Sequence, residues 1–290
     1  MNHFFIITNR DKDMDLSTTN EIKHFLQKKG KTCRMRPEEV HGTLSEAEAS
    51  RTLEREIPAE TECVIVLGGD GTLLRAARNL VNKNLPFLGI NLGHLGYLTE
   101  GDRSSIPSIL ERVIADEYIE EERMMLLGSV KRKNGKVVCR DVALNDITIT
   151  RSRSLRVIKF KLYVNGEFLY LYTADGIVVS TPTGSTAYNL SCGGPVVEPT
   201  AKLFLVTPIA PHSLNNRSLI LSADDKIELE LLGSEKDPED QVEYICGYDS
   251  DTSVILYPGD RIEIVRAPQV TRILKLSKIS FLETLRTKMS

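Results

Sequence analysis

The run Cys63-Val64-Ile65-Val66-Leu67, leading through Gly68-Gly69-Asp70-Gly71-Thr72 into Leu73-Leu74-Arg75-Ala76-Ala77, constrains the fold more than any other stretch. Apolar residues bounded by glycines read as a buried strand. The spacing of Leu73, Leu74, Ala77, Leu80 and Val81 predicts a helix over 72–82 with one apolar face. Three glycines around a single carboxylate free the backbone to take positive φ and to approach a ligand. Thr72 places a hydroxyl where the helix is expected to begin, and N–H groups there favour an anion. A phosphate cradle beside a fixed carboxylate suits phosphoryl transfer. The structural alternative is a strand-to-helix turn with a capping aspartate.

The surrounding residues extend this pattern. Strands are predicted at 4–8, 32–35, 63–67 and 87–91, with helices at 20–29 and 72–82 and a polar, helical connection over 36–58. Such alternation favours a parallel sheet with helices on its faces, and ligands then bind beyond the carboxyl ends of the strands. The loop Asn91-Leu92-Gly93-His94-Leu95-Gly96-Tyr97-Leu98 leaves the next strand at the same edge. His94 there either contacts phosphate or ribose or is simply solvated. Arg75, within the predicted helix, is a further candidate binding residue.

The pattern changes near Glu120-Glu121-Glu122-Arg123, an acidic run read as a solvated helix end and linker rather than a metal site. Beyond it come short strand signals at 125–132, 137–142, 157–164, 168–172, 176–180, 203–207, 219–221, 226–232, 242–246 and 261–265. Asn134-Gly135 and Asn165-Gly166 mark hairpin turns. The expected architecture is an α/β Rossmann-like N-terminal domain (1–122) and an all-β sandwich-like C-terminal domain (123–270). A C-terminal segment (271–290), with helical spacing over 280–288, is expected to return to the first domain or to meet another subunit.

Inside the β region, Asp175-Gly176-Ile177-Val178-Val179-Ser180-Thr181-Pro182-Thr183-Gly184-Ser185-Thr186-Ala187-Tyr188 is an apolar strand ending in a hydroxyl-rich loop. Pro182 holds Thr181 extended, Gly184 lets the backbone turn, and Ser185 or Thr186 can cap a short helix. Hydroxyls, amides and a terminal aromatic ring suit a nucleotide. The alternative is a Ser/Thr turn that satisfies its own backbone.

Several classes are excluded or disfavoured. No Gly-x-x-x-x-Gly-Lys-Ser/Thr loop is present, and no Gly-x-Gly-x-x-Gly follows an early strand. P-loop NTPases, dinucleotide-binding dehydrogenases and protein kinases are therefore not indicated. With 37 basic and 40 acidic residues the net charge is −3, which steers the chain toward neither nucleic acid nor an anionic membrane. The apolar run near the N-terminus is too short for a signal peptide or a membrane span, and the expectation is a cytoplasmic protein. Cys33, Cys63, Cys139, Cys192 and Cys246 are odd in number and widely spaced, so reduced thiols are expected rather than disulfides or zinc.

The sequence resembles the bacterial-type NAD kinases. The resemblance rests on Gly68-Gly69-Asp70-Gly71-Thr72, the 91–97 loop, Asn145-Asp146, the 175–188 block, Gly193-Gly194-Pro195, Pro211-His212-Ser213-Leu214 and Arg217, in the family's order. It covers the chain from about residue 63 onward. The glycine–aspartate loop alone is shared with lipid kinases and resembles one in phosphofructokinases, whereas the 180–188 block is specific.

The resemblance implies a site in a crevice between two domains, a homotetramer or homodimer, and transfer of the γ-phosphoryl of ATP (in some members, of polyphosphate) to the 2′-hydroxyl of NAD's adenosine ribose. A divalent metal, normally Mg²⁺, accompanies the donor. It implies that Asp70 either takes the hydroxyl proton or orients the metal. Gly68, Gly69, Gly71 and Thr72 would hold phosphate. Asn145 and Asp146 would bind adenine and ribose, and Asp175 the nicotinamide end. Thr183, Ser185, Thr186, Ala187, Tyr188 and Ser191 would line the nucleotide pocket, with Tyr97 near the adenine. His212 is explained equally by a buried structural imidazole. Asp146 stands where the family usually has Glu, and the shorter side chain suits a water-mediated contact. Asp249-Ser250-Asp251 departs from the commoner Asp-Gly and carries no assigned role. A lipid or sugar kinase and a non-catalytic NAD-binding module are the competing functional classes.

Overall fold

The computed structural model describes residues 1–36, 52–93, 96–152, 157–212, 217–233, 244–276 and 279–289. The chain forms two compact units, one of Met1–Arg123 with Gln269–Ser290 and one of Met124–Pro268.

The first unit is built on strands β1 (His3–Thr8), β2 (Thr32–Met35), β3 (Cys63–Gly68) and β4 (Pro86–Asn91) in the order β2-β1-β3-β4, each adjacent pair parallel. Every residue of β3 and of β4 is buried, as apolar strands covered on both faces require. Helices span Ser17–Lys28, Asp70–Asn79, Ile106–Ile114 and Phe281–Met289. Ile22 and Leu26 of the first helix, and Ile106, Ile109, Leu110 and Val113 of the third, pack in one core with Phe4, Ile6, Ile65, Leu67, Leu88 and Ile90.

Two expectations for this unit are corrected. The helix after β3 starts at Asp70, not Thr72, with Gly69 as its extended N-cap. The aspartate is thus the first helical residue, where a negative side chain opposes the positive helix end. Residues 120–123 are not a linker but lie inside a strand, β5 (Ile119–Lys131). The predicted helical connection over 36–58 falls mostly outside the described residues, and 52–56 are helical.

The second unit is antiparallel. One sheet is six-stranded in the order β12-β11-β10-β7-β14-β15, namely Leu219–Ser222, Leu203–Ile209, Gly176–Ser180, Asp146–Arg151, Tyr244–Tyr248 and Thr252–Leu256. Against it stand β8 (Ile158–Val164), β9 (Glu167–Ala174), β13 (Ile227–Leu232) and the first half of β16 (Arg261–Lys275), with β5 pairing β6 (Val137–Ala143). Ile147, Ile149, Ile177, Val179, Phe204 and Val206 from one sheet meet Phe160, Leu162, Leu229, Leu231, Ile262 and Ile264 from the other in a single apolar core. The Asn165-Gly166 turn has both residues at positive φ (53° and 84°), the geometry a two-residue hairpin demands.

Sequence reading misses β7 and β15 and the continuation of β16 to Lys275, which pairs in parallel with β4 through Arg272↔Pro86 and Ile273↔Phe87. Strand β7 was legible: Ile147 and Ile149 are buried and alternate with half-buried Thr148 and Thr150.

Candidate active site

In the first unit the site forms at the carboxyl ends of β1, β3 and β4. Asn9, just beyond β1, donates its backbone N–H to Leu67 O (2.8 Å) and its side-chain amide to Thr72 Oγ1 (3.3 Å). The Asp70 carboxylate accepts the backbone N–H of Tyr97 on one oxygen (2.8 Å) and that of Leu98 on the other (3.1 Å). The loop after β4 thereby fixes the carboxylate, and each oxygen retains a lone pair for a further donor.

The glycines serve close approach rather than unusual torsion. None of Gly68, Gly69 and Gly71 has positive φ, contrary to expectation. A Cβ at residue 68 would fall 2.4 Å from Thr72 Oγ1, and one at residue 96 would fall 1.9 Å from an Asp70 carboxylate oxygen. Both positions exclude any side chain. Thr72 sits in the first helical turn and Arg75 is exposed on the same helix. His94 lies outside the described residues. The Tyr97 ring packs at 6.3 Å from Phe281 of the C-terminal helix, with the Lys288 ammonium 4.5 Å from its centroid. The predicted tail helix therefore lies on the loop that holds Asp70.

In the second unit three turns meet at one edge of the six-stranded sheet. Asp146 opens β7 opposite Ser180, the last residue of β10, and Ile147 pairs with Tyr248 at the end of β14. Asp249, at positive φ (51°), accepts the backbone N–H groups of Leu144 (2.7 Å), Asn145 (2.7 Å) and Asp146 (3.1 Å). This is the residue that sequence reasoning left without a role. Its signal was the turn after an apolar strand, where aspartate tolerates left-handed backbone. Asp146 is buried. Burial first, and then the nearby Asp249 carboxylate, push its carboxyl up to about 7.

Most hydroxyls of the 180–186 loop turn inward. Thr181 Oγ1 donates to Leu144 O (2.6 Å), Ser180 Oγ to Asn145 O (3.1 Å), and Ser185 Oγ to Val197 O (3.2 Å). Ser180, Thr181, Thr183 and Ser185 are buried. Gly184 is required because a Cβ there would fall 2.3 Å from Asn145 O. Neither Ser185 nor Thr186 caps a helix through its side chain. A 3₁₀ turn spans Thr183–Thr186 and a short helix spans Tyr188–Ser191. Thr186 and Ala187 are half-buried, while Tyr188 and Ser191 stay exposed.

Asp175 is not brought to this edge. It precedes β10 at the other end, paired with Arg151 (3.1 Å), a strand length of roughly 17 Å from Ser180. Tyr188 stands in range of both Asp146 and Asp175. Its hydroxyl is raised first by burial, with contributions from Cys192 and from the two carboxylates. His212 is exposed, not a buried structural imidazole.

A parallel α/β unit with a pinned carboxylate on a glycine turn, joined to a β-sandwich unit, suits a small-molecule phosphotransferase without a P-loop. Family models agree with that class. Residues 4–118 match the ATP-NAD kinase N-terminal domain and residues 144–276 match the ATP-NAD kinase C-terminal domain. The chain is 46% identical to the NAD kinase of Lachnospira eligens over the full length of both, and 44% identical to that of Agathobacter rectalis over 100% of this chain and 99% of the relative. Two solved structures share the fold. Yeast NADH kinase complexed with NADH has a TM-score of 0.81 and 22% identity, covering 100% of this chain and 87% of its own. An Archaeoglobus fulgidus NAD kinase in complex with ATP has a TM-score of 0.71 and 24% identity, covering 96% and 95%. The chain belongs to the NAD kinase family.

Proposed function

We propose that this chain transfers the γ-phosphoryl group of ATP to the 2′-hydroxyl of the adenosine ribose of NAD, giving NADP and ADP, with Asp70 as the base. The observation that carries the assignment is the Asp70 carboxylate held at the head of its helix by the N–H groups of Tyr97 and Leu98. Held there, it accepts the 2′-hydroxyl proton as the oxygen forms its bond to phosphorus and the bond to ADP breaks. The first-turn N–H groups at Asp70 and Gly71, unused within an α-helix, take phosphate oxygens, with Gly68 and Gly69 giving access and Thr72 and Arg75 beside them.

Asn145 and Asp146 bind the adenosine, Asp146 through ribose hydroxyls. Thr186, Ala187, Tyr188 and Ser191 offer the accessible face of their loop. Thr183 and Ser185 act from behind it, shaping the loop rather than touching the nucleotide. Asp175, at the far end of β10, takes the nicotinamide end of the same dinucleotide or of one bound by a second subunit of a homodimer or homotetramer.

Among the described residues no three of His, Cys, Asp and Glu gather to hold a metal. A divalent ion would enter with the ATP phosphates. No helix among the described residues is long and apolar enough to cross a membrane. A cytoplasmic location fits the NAD and ATP substrates.

Incubation with ATP, Mg²⁺ and NAD, followed by quantification of NADP, tests the reaction. Asp70→Asn should lower turnover by about 10²–10⁴-fold in a protein that still folds, with a lowered melting temperature because the amide can accept only one of the two N–H groups of Tyr97 and Leu98. Near-normal turnover in a folded Asp70→Asn protein would remove the base role. Bound NAD without any NADP from the wild type would leave a binding module.

A further inference from the structure

Packing explains only part of the glycine content at the phosphate loop. Residues 68 and 96 exclude side chains by collision, but 69, 71 and 93 do not. Gly69 is extended (φ −117°, ψ −173°), a conformation open to any residue, and a Cβ there would meet only Lys12 Nζ, at 3.2 Å. A Cβ at Gly71 would meet nothing within 4 Å, although glycine inside a helix costs about 1 kcal/mol relative to alanine. At Gly93 the nearest atom to a Cβ would again be Lys12 Nζ, at 3.5 Å. Two loops, after β3 and after β4, thus keep side chains away from one lysine without the fold requiring it.

Lys12 reaches this place from an anchored turn after β1. Its N–H and that of Asp13 both donate to Asn9 O (3.1 Å each), and Asn9 is tied to Leu67 and Thr72. Asp13 is buried, its carboxylate accepting the N–H groups of Thr18 (3.1 Å) and Thr19 (2.9 Å). Burial opposes ionisation of Asp13, and these hydrogen bonds nevertheless hold its carboxyl below the ordinary range. Against this, the Lys12 ammonium forms no ion pair or hydrogen bond with a described residue. It therefore stands, without an ion-pair partner among the described residues, beside the head of the Asp70 helix, where phosphate oxygens would meet both the ammonium and the first-turn N–H groups.

We propose that Lys12 binds the phosphate chain of the ATP donor and neutralises charge on the transferring phosphoryl group. This inference rests on the phosphoryl-transfer reading of the Asp70 loop. A compact ammonium on a flexible stem suits phosphate oxygens in several positions along the transfer, and fixed cations stabilise the charge those oxygens carry. The glycines at 69 and 93 leave the phosphates room to reach it.

Lys12→Met and Lys12→Arg separate this role from a solvated surface lysine. With ATP varied at saturating NAD, Lys12→Met should lower kcat/KM for ATP by about 10²-fold, and Lys12→Arg should recover most of that loss. Calorimetric titration with ADP should weaken by about tenfold in Lys12→Met, as expected for a lost charge-assisted hydrogen bond, while NAD affinity stays at the wild-type value. Wild-type kcat/KM for ATP together with wild-type ADP affinity in a folded Lys12→Met protein would overturn the proposal. The ADP titration keeps the two readings apart. A wild type that makes no NADP defeats the reaction assigned above, whereas an active wild type matched by Lys12→Met defeats only the lysine's role.

Discussion

Asp146 concentrates the electrostatic tension of the second unit. It is buried at the mouth of β7, near a second carboxylate that is itself tied down by three backbone N–H groups. Its carboxyl is raised from 3.8 to about 7, so the folded chain holds a proton there that the unfolded chain has already lost at neutral pH. By linkage, the contribution of this group to stability is fully present below about pH 4, declines as pH rises toward 7, and is lost above that. Asp146→Asn keeps the shape and removes the titration. The melting temperature of the ligand-free variant should exceed that of the wild type at pH 8, with the gap closing on the way down to pH 4. A gap of the same size at both ends would mean that Asp146 titrates normally. The sequence disclosed the residue and its shortened side chain, but not this pressure, which arises from burial and from a neighbour 103 positions away.

At the level of elements, the turn after β14 has a larger job than its sequence advertises. Asp249 ties that turn to the one between β6 and β7, and Asp249 N donates back to Asp146 O (3.0 Å). Asp249→Ala would strand three backbone N–H groups and place alanine at positive φ. A loss of about 2–4 kcal/mol follows, measurable by urea unfolding, together with weaker NAD binding by titration. Asp249→Asn retains one carbonyl oxygen and should fall between the two. If Asp249→Ala melts like the wild type, the turn is held by other contacts.

Local patterning made the parallel strands, both Asn-Gly hairpins and the tail helix legible, because each depends on periodicity or on one turn's torsions. The inward rotation of the hydroxyl loop was not legible. Whether Thr181 and Ser185 face a ligand or the backbone is decided by Leu144 and Val197, which local sequence does not place nearby. The same holds for Lys12, which reads as one member of a charged run until two glycine loops are brought around it.

Across the whole molecule, stability comes from two apolar cores rather than from cross-links. All five cysteines are free: Cys33 and Cys63 pack into the first core, Cys246 into the second, and Cys139 and Cys192 are half-buried. Burial pushes the thiols of Cys33, Cys63 and Cys246 up to about 12, so at pH 8 almost none of the reactive thiolate exists at these sites. Cys192 is raised as well, again chiefly by burial, but it remains partly accessible. Iodoacetamide at pH 8 should therefore modify the native protein only at Cys139 and Cys192, and at all five thiols once guanidinium has unfolded it, as read by peptide mass spectrometry. Because each core carries at least one protected thiol, partial denaturation reports on them separately: Cys246 follows the second unit, while Cys33 and Cys63 follow the first. Alkylation of Cys63 in the native protein at the rate of a free thiol would show that the central strand leading into the Asp70 loop opens to solvent, and that the carboxylate it positions is not rigidly held.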